Sequence, residues 1–583
     1  MTNAPAPGQA PLPAPDAAEL VRSNADDPSV ADRPAIRFGD RTWTHREYHA
    51  ESSRWAQLFV ARHQGRTRPL HVGVLLDNTP DYLFALGGAA LAGATVVGLN
   101  HTRVGEHLVR DITHTDVDLI VTEPGHWADL SSVQGRFGDV PVLVSNRFPR
   151  SGDHPVPTDR ARDLDQELAG VPAHDPGIEP GPDTRWALIF TSGTSSAPKA
   201  VVCTQRRLLV TGNRMRMMLD LGPDDVGYVC MPLFHSNALM VGWAPSLVAG
   251  CSVAVARRFS ASGWLPDVRR YGATYFNYTG KPLSYLVATP VRPDDADNPL
   301  RVAFGNEGSP DVLERFRDRF GVEVIDAFGS TEGAIAVNRD APARRGAMGV
   351  AGDTIRVMDV DDVECPPARF GPDGGLLNAG DCVGEIVNTA GSGPFEGYYN
   401  NDEATAAATR GGWYRSGDLG YLDDERYLYF AGRTADWLRV DGENFPAGPI
   451  DEALSSHPDL VLAVAYGVPD VHAGDQVMAA VVLRDGATFD PTAFASWVDG
   501  YPGLGPKGRP RYLRVATELP STGTNKVVKR TLAHQKLRRD LVGADALFVR
   551  DRGADAFRPF TGDDEAALRA ELEAAGRGRF WDL

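Results

Sequence analysis

Cysteine is scarce in this chain, which has 5 cysteines among 583 residues. No two of them form a CxxC pair, and an odd number cannot all be joined in disulfides. This usage excludes a disulfide framework built from every cysteine. It is typical of a reducing compartment, so we expect a cytoplasmic protein.

An excess of positive charge is also lacking. The chain has 59 Lys and Arg residues against 77 Asp and Glu residues, which gives a net charge of −18 at pH 7. Such a balance provides no broad basic field, and we expect no nucleic-acid partner. If the protein binds an anion, local donors must hold it against this background.

Neither a targeting signal nor an uninterrupted membrane span is evident. The N-terminal MTNAPAPGQAPLPAP has no basic region followed by an apolar one, so we expect no signal peptide and a disordered segment over residues 1–25. The run from Ala238 to Ala256 is almost uncharged and nearly long enough to cross a bilayer. Because Pro245 and Gly250 interrupt it, the run predicts a buried helix, a turn at Gly250 and a buried strand.

The hydrophobic pattern divides the chain into three regions and shows no internal repeat. From residue 45 to about 340, helix and strand patterns alternate, which predicts parallel sheets covered by helices. From about 345 to 430, short strands with Gly/Asp turns predict a small β-rich subdomain. After Gly432 the pattern indicates a compact α+β unit. The predicted fold class is therefore α/β, with a main domain boundary near 432–436.

The segment TSGTSSAPKA, Thr191 to Ala200, joins two apolar runs that have the pattern of strands. Small side chains let backbone N–H groups converge on an anion, the hydroxyls add donors, and Lys199 adds positive charge. These are groups that can grip a polyphosphate. GxxxxGK[ST] is absent, so the segment is not a Walker loop. Taken alone, its composition fits a flexible Ser/Gly turn equally well.

Other positions carry candidate chemistry, each with an ordinary alternative. His235 follows an apolar strand, where a core or capped histidine is the commoner explanation. Thr331 and Glu332, in DAFGSTEG, could offer a hydroxyl and a carboxylate to a magnesium–phosphate complex, or form a simple acidic turn. Asp418 could accept hydrogen bonds from a ribose diol, or be a turn aspartate. Lys526, in LPSTGTNKVVKR, could reach charge developing on phosphorus, or be a solvated surface lysine.

Five segments together, in this order, resemble the adenylate-forming superfamily of acyl-CoA synthetases, luciferases and peptide-synthetase adenylation domains. TSGTSSAPKA resembles its phosphate loop, FGSTEG its aromatic-Gly-x-Thr-Glu motif, and YRSGDLG its ribose-binding motif. GRTADWLRVDGEN resembles its hinge and LPSTGTNKVVKR its catalytic-lysine loop. The segments PLFHSN and LRVAFGNEGSPDV are most similar to the very-long-chain acyl-CoA synthetases and fatty acid transport proteins.

The resemblance implies the substrates and the site. It implies ATP, Mg²⁺ and coenzyme A, and a hydrophobic, fatty carboxylic acid that passes through an acyl-adenylate to acyl-CoA, with release of AMP and pyrophosphate. The implied catalytic residues are Lys526, Thr331, Glu332 and His235, with Mg²⁺ held by Glu332 and Thr331 nearby. The implied nucleotide- and coenzyme-binding residues are Thr191, Ser192, Gly193, Thr194, Ser195, Lys199, Gly305, Asn306, Glu307, Phe328, Gly329, Ser330, Asp418, Arg433, Gly442 and Glu443.

The resemblance also implies a mobile C-terminal α+β lid domain. The expected divisions are a disordered 1–25, an N-terminal domain 26–432, a hinge 433–436, a lid 437–545 and a C-terminal extension 546–583. After adenylation the lid would turn about the hinge, the turn at Gly442 would replace Lys526, and His235 would gate the acyl side of a coenzyme A channel. Three positions depart from the family pattern: Asn525, Ala435 and Pro449.

Other functions stay open at this point. Relatives pass an activated acid to an amine or a carrier-protein thiol, and some activate nitrite for diazotisation. A non-catalytic fatty-acid uptake or binding protein is a third possibility, although the complete set of motifs argues against it. Peripheral membrane contact and the oligomeric state also stay open.

Overall fold

The computed structural model describes residues 11–581, except for 64, 151, 154–160, 192–198, 336, 339–343, 345, 372–375, 434–436, 441–442, 471–473, 502–503, 523–525, 576–577 and 579–580. Its N-terminal strands are β1 Pro34–Phe38, β2 Arg41–Thr44, β3 His71–Leu75, β4 Thr95–Gly98, β5 Leu119–Thr122, β6 Val142–Val144, β7 Arg162–Asp163, β8 Arg185–Phe190, β9 Ala200–Thr204, β10 Val226–Val229, β11 Ser252–Val255, β12 Tyr275–Thr279, β13 Val302–Asn306 and β14 Glu323–Asp326. Further strands are β15 Val337–Asn338, β16 Ala347–Ala351, β17 Ile355–Met358, β18 Gly384–Asn388, β19 Tyr414–Leu422, β20 Tyr427–Arg433, β21 Trp437–Val440, β22 Glu443–Pro446, β23 Leu460–Asp470, β24 Gly474–Leu483, β25 Tyr512–Ala516, β26 Ala546–Val549 and β27 Arg558–Pro559.

The helices alternate with these strands over most of the N-terminal part. In chain order they are α1 Ala17–Asp26, α2 His45–His63, α3 Pro80–Ala92, α4 Glu106–His114, α5 Pro124–Val133, α6 Leu164–Ala169, α7 Gln205–Met218, α8 Ala244–Ala249, α9 Ala261–Tyr271, α10 Gly280–Ala288, α11 Pro310–Phe320, α12 Ala379–Cys382, α13 Asp402–Ala408, α14 Gly448–Ser455, α15 Pro491–Gly500, α16 Lys529–Gln535, α17 Arg539–Val542 and α18 Gly562–Ala574. A π-helix, Asn237–Trp243, leads into α8, and a 3₁₀ turn covers Arg410–Gly412.

Two seven-stranded sheets form the body of the N-terminal domain, in the orders β14-β13-β12-β10-β11-β1-β2 and β7-β6-β5-β3-β4-β8-β9. The edge pairs β1–β2 and β8–β9 are antiparallel, and the other pairs in both sheets are parallel. One hydrophobic core includes side chains from both sheets and from α1, α2 and α3. The predicted α/β organisation is confirmed, because runs of apolar strand residues separated by helices pair as parallel sheets.

A six-stranded antiparallel sheet, β15-β16-β20-β19-β18-β17, corresponds to the predicted β-rich subdomain. The C-terminal domain has a mixed sheet in the order β22-β21-β24-β25-β26-β27, with β23 paired to β24. The β24–β25 pair is parallel, which requires the crossover through α15. The α+β prediction for this part is confirmed.

The structure corrects two of the predicted domain limits. Residues 17–25, expected to be disordered, belong to α1, whose Ala17, Leu20 and Val21 are buried in the main core. The backbone N–H of Ala18 donates a 3.0 Å hydrogen bond to the side chain of Gln205, which fixes the helix to α7. The predicted lid limit at 545 is also wrong, since β26 pairs with β25 and Trp581 is buried in the core of the C-terminal domain.

The apolar run from Ala238 to Ala256 forms the predicted helix, turn and strand. The π-helix and α8 are buried, Gly250 adopts a left-handed φ of 64°, and β11 follows as a buried central strand. Within the described part of the chain, no helix has the length and apolarity needed to cross a membrane.

Candidate active site

The two ends of the predicted phosphate loop, Thr191 and Lys199, adjoin β8 and β9 at the edge of a sheet. The N–H of Thr191 donates a 3.0 Å hydrogen bond to the carbonyl of Lys199, so the two ends of the loop are held together. Lys199 Nζ lies 5.5 Å from the centre of the Tyr398 ring. Ser192, Gly193, Thr194 and Ser195 lie outside the described residues.

Tyr398 reaches Lys199 because its segment pairs with β9. The N–H of Val202 donates to the carbonyl of Gly397 at 3.0 Å, and the N–H of Tyr399 donates to the carbonyl of Ala200 at 2.8 Å. These bonds place Tyr398 beside β9 and Lys199. The tyrosine was not among the predicted site residues.

Tyr398 also contacts the turn that contains Thr331 and Glu332. The Tyr398 hydroxyl donates a 2.7 Å hydrogen bond to Oε1 of Glu332, whose residue exposure is 8%. The carbonyl of Thr331 accepts a hydrogen bond from the guanidinium of Arg207, which also donates to the carbonyl of Val202 at 3.0 Å. Arg207 therefore ties β9 to the Thr-Glu turn.

Asp418 and Ser330 complete this side of the cleft around Tyr414. Asp418 lies in β19, is 7% exposed and stands opposite Arg433 in the β19–β20 register. Burial raises the pKa of Tyr414 well above its usual value, and the charges of Glu332 and Asp418 raise it further, whereas a hydrogen bond from Ser330 opposes this shift. These couplings place the two carboxylates in one electrostatic environment.

The end of β13 supplies the next group, from Gly305 to Glu307. Glu307 has a φ of 67°, a left-handed conformation that non-glycine residues seldom adopt. Strain of this kind persists only where the surroundings fix the backbone, and it is concentrated at functional sites. Gly280 permits the arrangement, since a Cβ there would lie 1.7 Å from the carbonyl oxygen of Glu307. Asn306 Oδ1 lies 3.5 Å from the donating Nδ2 of Asn237, at the start of the π-helix.

Lys526 enters the cleft from the C-terminal domain. Its ammonium forms an ion pair and hydrogen bond with Oε1 of Glu307. Burial and the nearby charge of Lys526 lower the pKa of His235 to about 3, so this imidazole is neutral near pH 7. His235 is followed by Ser236, whose hydroxyl shares a 2.9 Å hydrogen bond with the hydroxyl of Thr331.

The remaining predicted positions are described less completely. Phe328 packs with its ring centre 6.3 Å from that of Phe430, and Gly329 follows it in the Thr-Glu turn. Arg433 ends β20 and Glu443 begins β22, while Gly442 lies outside the described residues. Ala435 and Asn525 also lie outside them, and Pro449 is in the first turn of α14.

Sequence reasoning missed a second set of residues at this cleft: Arg207, Ser236, Tyr398 and Tyr414. Two of them had a local signal. Ser236 adjoins His235, and Tyr414 begins the YRSGDLG segment. Arg207 lies on a helix with several arginines, and nothing in the one-letter pattern separates it from the others.

The donors at Glu332 suit a hard divalent cation. A buried carboxylate and a threonine hydroxyl provide oxygen ligands alone, which are the ligands that Mg²⁺ prefers. Another cluster with metal-ligand chemistry consists of Asp77, Glu123 and His126. Arg150 and Arg257 donate to its carboxylates, and this positive charge disfavours a metal cation there.

A cavity of about 600 Å³ lies between that cluster and the C-terminal domain. Its wall includes Arg150, Arg257 and Arg258 from the N-terminal domain and the segment from Glu518 to Thr522, which precedes Lys526. Asp77 and Glu518 also line it, so the cavity carries charges of both signs, and it is bordered by both domains.

Comparisons with known proteins agree with this geometry. A family model for the AMP-binding enzyme matches residues 23–399, and one for the AMP-binding enzyme C-terminal domain matches residues 449–526. The chain is 45% identical to a steroid-22-oyl-CoA synthetase from Rhodococcus jostii, over 94% of this chain and 96% of that protein. It is 46% identical to the medium/long-chain-fatty-acid–CoA ligase FadD17 of Mycobacterium tuberculosis, over 80% of this chain and 86% of the relative.

Solved structures share the fold at lower sequence identity. The anthranilate CoA ligase AuaEII, in complex with anthranoyl-AMP, superposes with a TM-score of 0.77 at 19% identity, over 90% of this chain and 97% of that one. A benzoate CoA ligase from Burkholderia xenovorans gives a TM-score of 0.74 at 21% identity, over 88% and 99% of the two chains. The chain belongs to the AMP-binding, adenylate-forming enzyme family.

Proposed function

We propose that the protein is an ATP-dependent ligase that joins a large hydrophobic carboxylic acid to coenzyme A through an acyl-adenylate. The observation that carries this proposal is a continuous line of groups across the cleft. It runs from Lys526 past Glu307 and His235 to the Ser236–Thr331 hydrogen bond, and from Glu332 through Tyr398 to Lys199. Lys199 from the N-terminal domain and Lys526 from the C-terminal domain thus face one cleft, which also contains the Thr-Glu turn.

The N-terminal residues would hold the triphosphate. Lys199 and the donors of its hairpin would bind the β- and γ-phosphates, and Asp418 would accept hydrogen bonds from the ribose diol. Glu332, with Thr331 nearby, would hold Mg²⁺, which supplies charge neutralisation of the phosphates when bound. Tyr398 would fix the Glu332 carboxylate so that one of its oxygens faces the phosphates.

Lys526 would stabilise the first step. The acid's carboxylate attacks the α-phosphorus of ATP, pyrophosphate leaves, and negative charge grows on the oxygens around phosphorus. An ammonium held at that point lowers the energy of the transition state more than that of the ground state. The ion pair between the Lys526 ammonium and the Glu307 carboxylate supports this role, because it places an acidic oxygen next to the ammonium.

The second step requires a thiol to reach the same carbonyl carbon. We infer that the C-terminal domain turns about residues 433–436 after adenylation, that Lys526 then leaves, and that the segment around Gly442 and Glu443 approaches. The cavity beside the Glu518–Thr522 segment supports coenzyme A as the acceptor, because Arg258 on its wall offers a partner for a phosphate group. His235, neutral near pH 7, would line the acyl side of the path.

The acid is expected to be large and apolar. Val241 of the π-helix, Ile325 and Ala327 are only partly buried, and they pack together on one hydrophobic cluster. Ala327 directly precedes the Phe328–Glu332 turn, so this apolar wall adjoins the place where the carboxylate would react. Medium- or long-chain fatty acids and steroid side-chain acids both fit this chemistry, and the names of the relatives at 45% and 46% identity support it.

A product analysis tests the proposal. Purified protein is incubated with ATP, Mg²⁺ and coenzyme A and with octanoic, dodecanoic, hexadecanoic, a steroid side-chain, benzoic or acetic acid. We expect AMP and the corresponding thioester by mass spectrometry for the large apolar acids, and little of either for acetate. AMP without a thioester would point to another acceptor, and absence of AMP with every acid would overturn the proposal.

A further inference from the structure

Lys281, in the first turn of α10, is a buried cation where the two domains meet. Its residue exposure is 8%. Its ammonium donates a hydrogen bond to the hydroxyl of Ser521 in the C-terminal domain and lies 5.6 Å from the centre of the Tyr285 ring. Burial lowers the pKa of Lys281, and the charge of Glu518 opposes that shift. Since burying an ammonium is costly without partners, contacts from the C-terminal domain help to keep this lysine charged.

Ser521 is the base of the loop that carries Lys526. It forms a bridge with Val527, and the N–H of Val528 donates to the carbonyl of Pro520 at 2.8 Å. Inside the loop, the N–H of Lys526 donates to the hydroxyl of Thr522 at 3.1 Å. The two arms of the loop are thus bonded to each other, so a group that holds Ser521 also holds Lys526.

The start of α10 supports the other contact of Lys526 as well. Gly280, the residue before Lys281, packs directly under the carbonyl of Glu307, and Glu307 is the ion-pair partner of Lys526. Further along the same helix, Tyr285 packs against the core of the C-terminal domain. One short helix therefore makes three contacts. Lys281 holds Ser521, Gly280 supports Glu307, which pairs with Lys526, and Tyr285 packs on the core of the C-terminal domain.

We propose that Lys281 is a positioning residue for adenylation: by holding Ser521, it keeps the Lys526 loop over the cleft for the first half-reaction. This inference rests on the proposed function. Because the contact joins the domains in the arrangement where Lys526 is in the cleft, it must break before the C-terminal domain can turn. Lys281 would then favour the first half-reaction and contribute nothing to the second.

The test separates the two half-reactions. Adenylation is followed by dodecanoate-dependent ATP–pyrophosphate exchange, and thioester formation by supplying synthetic dodecanoyl-adenylate and coenzyme A. We expect Lys281→Met to slow the exchange about tenfold to a hundredfold, as for loss of a charged hydrogen bond, while thioester formation stays at the wild-type rate or rises. Lys281→Arg should recover most of the exchange, and Ser521→Ala should reproduce the selective loss.

Two controls make the result interpretable. Ser284→Ala removes a hydroxyl of the same helix that donates to the carbonyl of Gly280, and it should change neither half-reaction. The double variant Lys281→Met/Ser521→Ala should be no slower than the slower single variant, because both remove one interaction. Equal loss of both half-reactions in Ser521→Ala, or wild-type exchange in Lys281→Met, would overturn the inference. If wild-type protein shows neither half-reaction with any acid, the proposed function itself fails.

Discussion

The hydroxyl of Tyr398 donates a 2.7 Å hydrogen bond to Oε1 of Glu332, across 66 positions of sequence. The same tyrosine ring faces the ammonium of Lys199 at 5.5 Å. One side chain thereby links Lys199, at the start of the β9 side of the predicted phosphate loop, to Glu332. Because the bond occupies Oε1 of Glu332, the other oxygen, Oε2, would face the proposed cation.

Replacing this hydroxyl tests that link. Tyr398→Phe keeps the ring beside Lys199 and removes the donor to a buried carboxylate. We expect the rate of adenylation to fall about tenfold to a hundredfold, the range for a hydrogen bond to a charged group, with a higher Mg²⁺ concentration needed for half-maximal rate. ATP–pyrophosphate exchange at varied Mg²⁺ measures both effects. Tyr399→Phe is the matched control, since that hydroxyl donates to Asp116 instead. Equal Mg²⁺ dependence in all three proteins would contradict the role of Tyr398.

The assignment of Lys526 gives a prediction of a different kind. Lys526→Ala removes the cation from the C-terminal domain, so adenylation should fall by about 10²–10³, the usual effect of losing one electrostatic group. Thioester formation from a supplied acyl-adenylate should stay close to normal, because that step does not need charge at the α-phosphate. Lys507→Ala, a second lysine of the same domain, serves as control. Adenylation at a near-normal rate in Lys526→Ala would show that the role is wrong.

Local patterns predicted much of the fold. The alternation of strands and helices, the turn at Gly250 and the change to short antiparallel strands follow from hydrophobic periodicity and turn chemistry, which depend on neighbouring residues. The first helix escaped prediction because the Pro/Ala-rich composition before it resembles disorder. Its stability comes from burial of Leu20 and Val21 in a core built mainly by later parts of the chain.

The candidate site was predictable where the motifs are contiguous and not where partners are distant. Lys199, Glu332 and Asp418 stand in recognisable segments, and in the structure Tyr398 contacts both Lys199 and Glu332, while the charges of Glu332 and Asp418 both act on Tyr414. Arg207 meets the carbonyl of Thr331 across 124 positions, and Lys281 meets Ser521 across 240. Such contacts depend on how sheets and domains pack, so the spacing of residues in a local sequence pattern does not predict them.

Close backbone packing at Gly280 leads to a third prediction. In Gly280→Ala the new Cβ would lie 1.7 Å from the carbonyl oxygen of Glu307 and 3.1 Å from the nitrogen of Gly308, so the strand end must move. We expect kcat/KM for ATP to fall about tenfold to a hundredfold, the scale of a displacement near 1 Å in a positioned site. Steady-state kinetics with varied ATP measures the change. Gly222→Ala, where a Cβ meets open space, should retain wild-type kinetics. An unchanged kcat/KM in Gly280→Ala would show that the position of Glu307 does not matter for nucleotide binding.

Buried histidines predict how stability depends on pH. His71 is fully buried, its Nδ1 donates to the carbonyl of Thr115 at 2.7 Å, and its Nε2 accepts from Arg185 at 3.2 Å. Burial, assisted by the charges of Arg68 and Arg185, lowers its pKa to about 4. The unfolded chain, with a histidine pKa near 6.5, therefore binds a proton between about pH 6.5 and 4 that the folded protein does not bind.

The sign of the effect follows from this difference. As pH falls through that window, the free energy of unfolding should decrease by about 1.4 kcal/mol per pH unit for one such group, and above pH 6.5 it should be constant for that group. His45, whose pKa burial also lowers to about 4, acts in the same direction. His71→Gln should have a lower thermal midpoint than wild type at pH 7.5. Between pH 7.5 and pH 5, however, its midpoint should fall by less than that of wild type. In His107→Gln, a control at an exposed position of α4, the thermal midpoint should change with pH as it does in wild type. If the midpoint of His71→Gln falls as steeply with acid as that of wild type, His71 is not a neutral buried histidine.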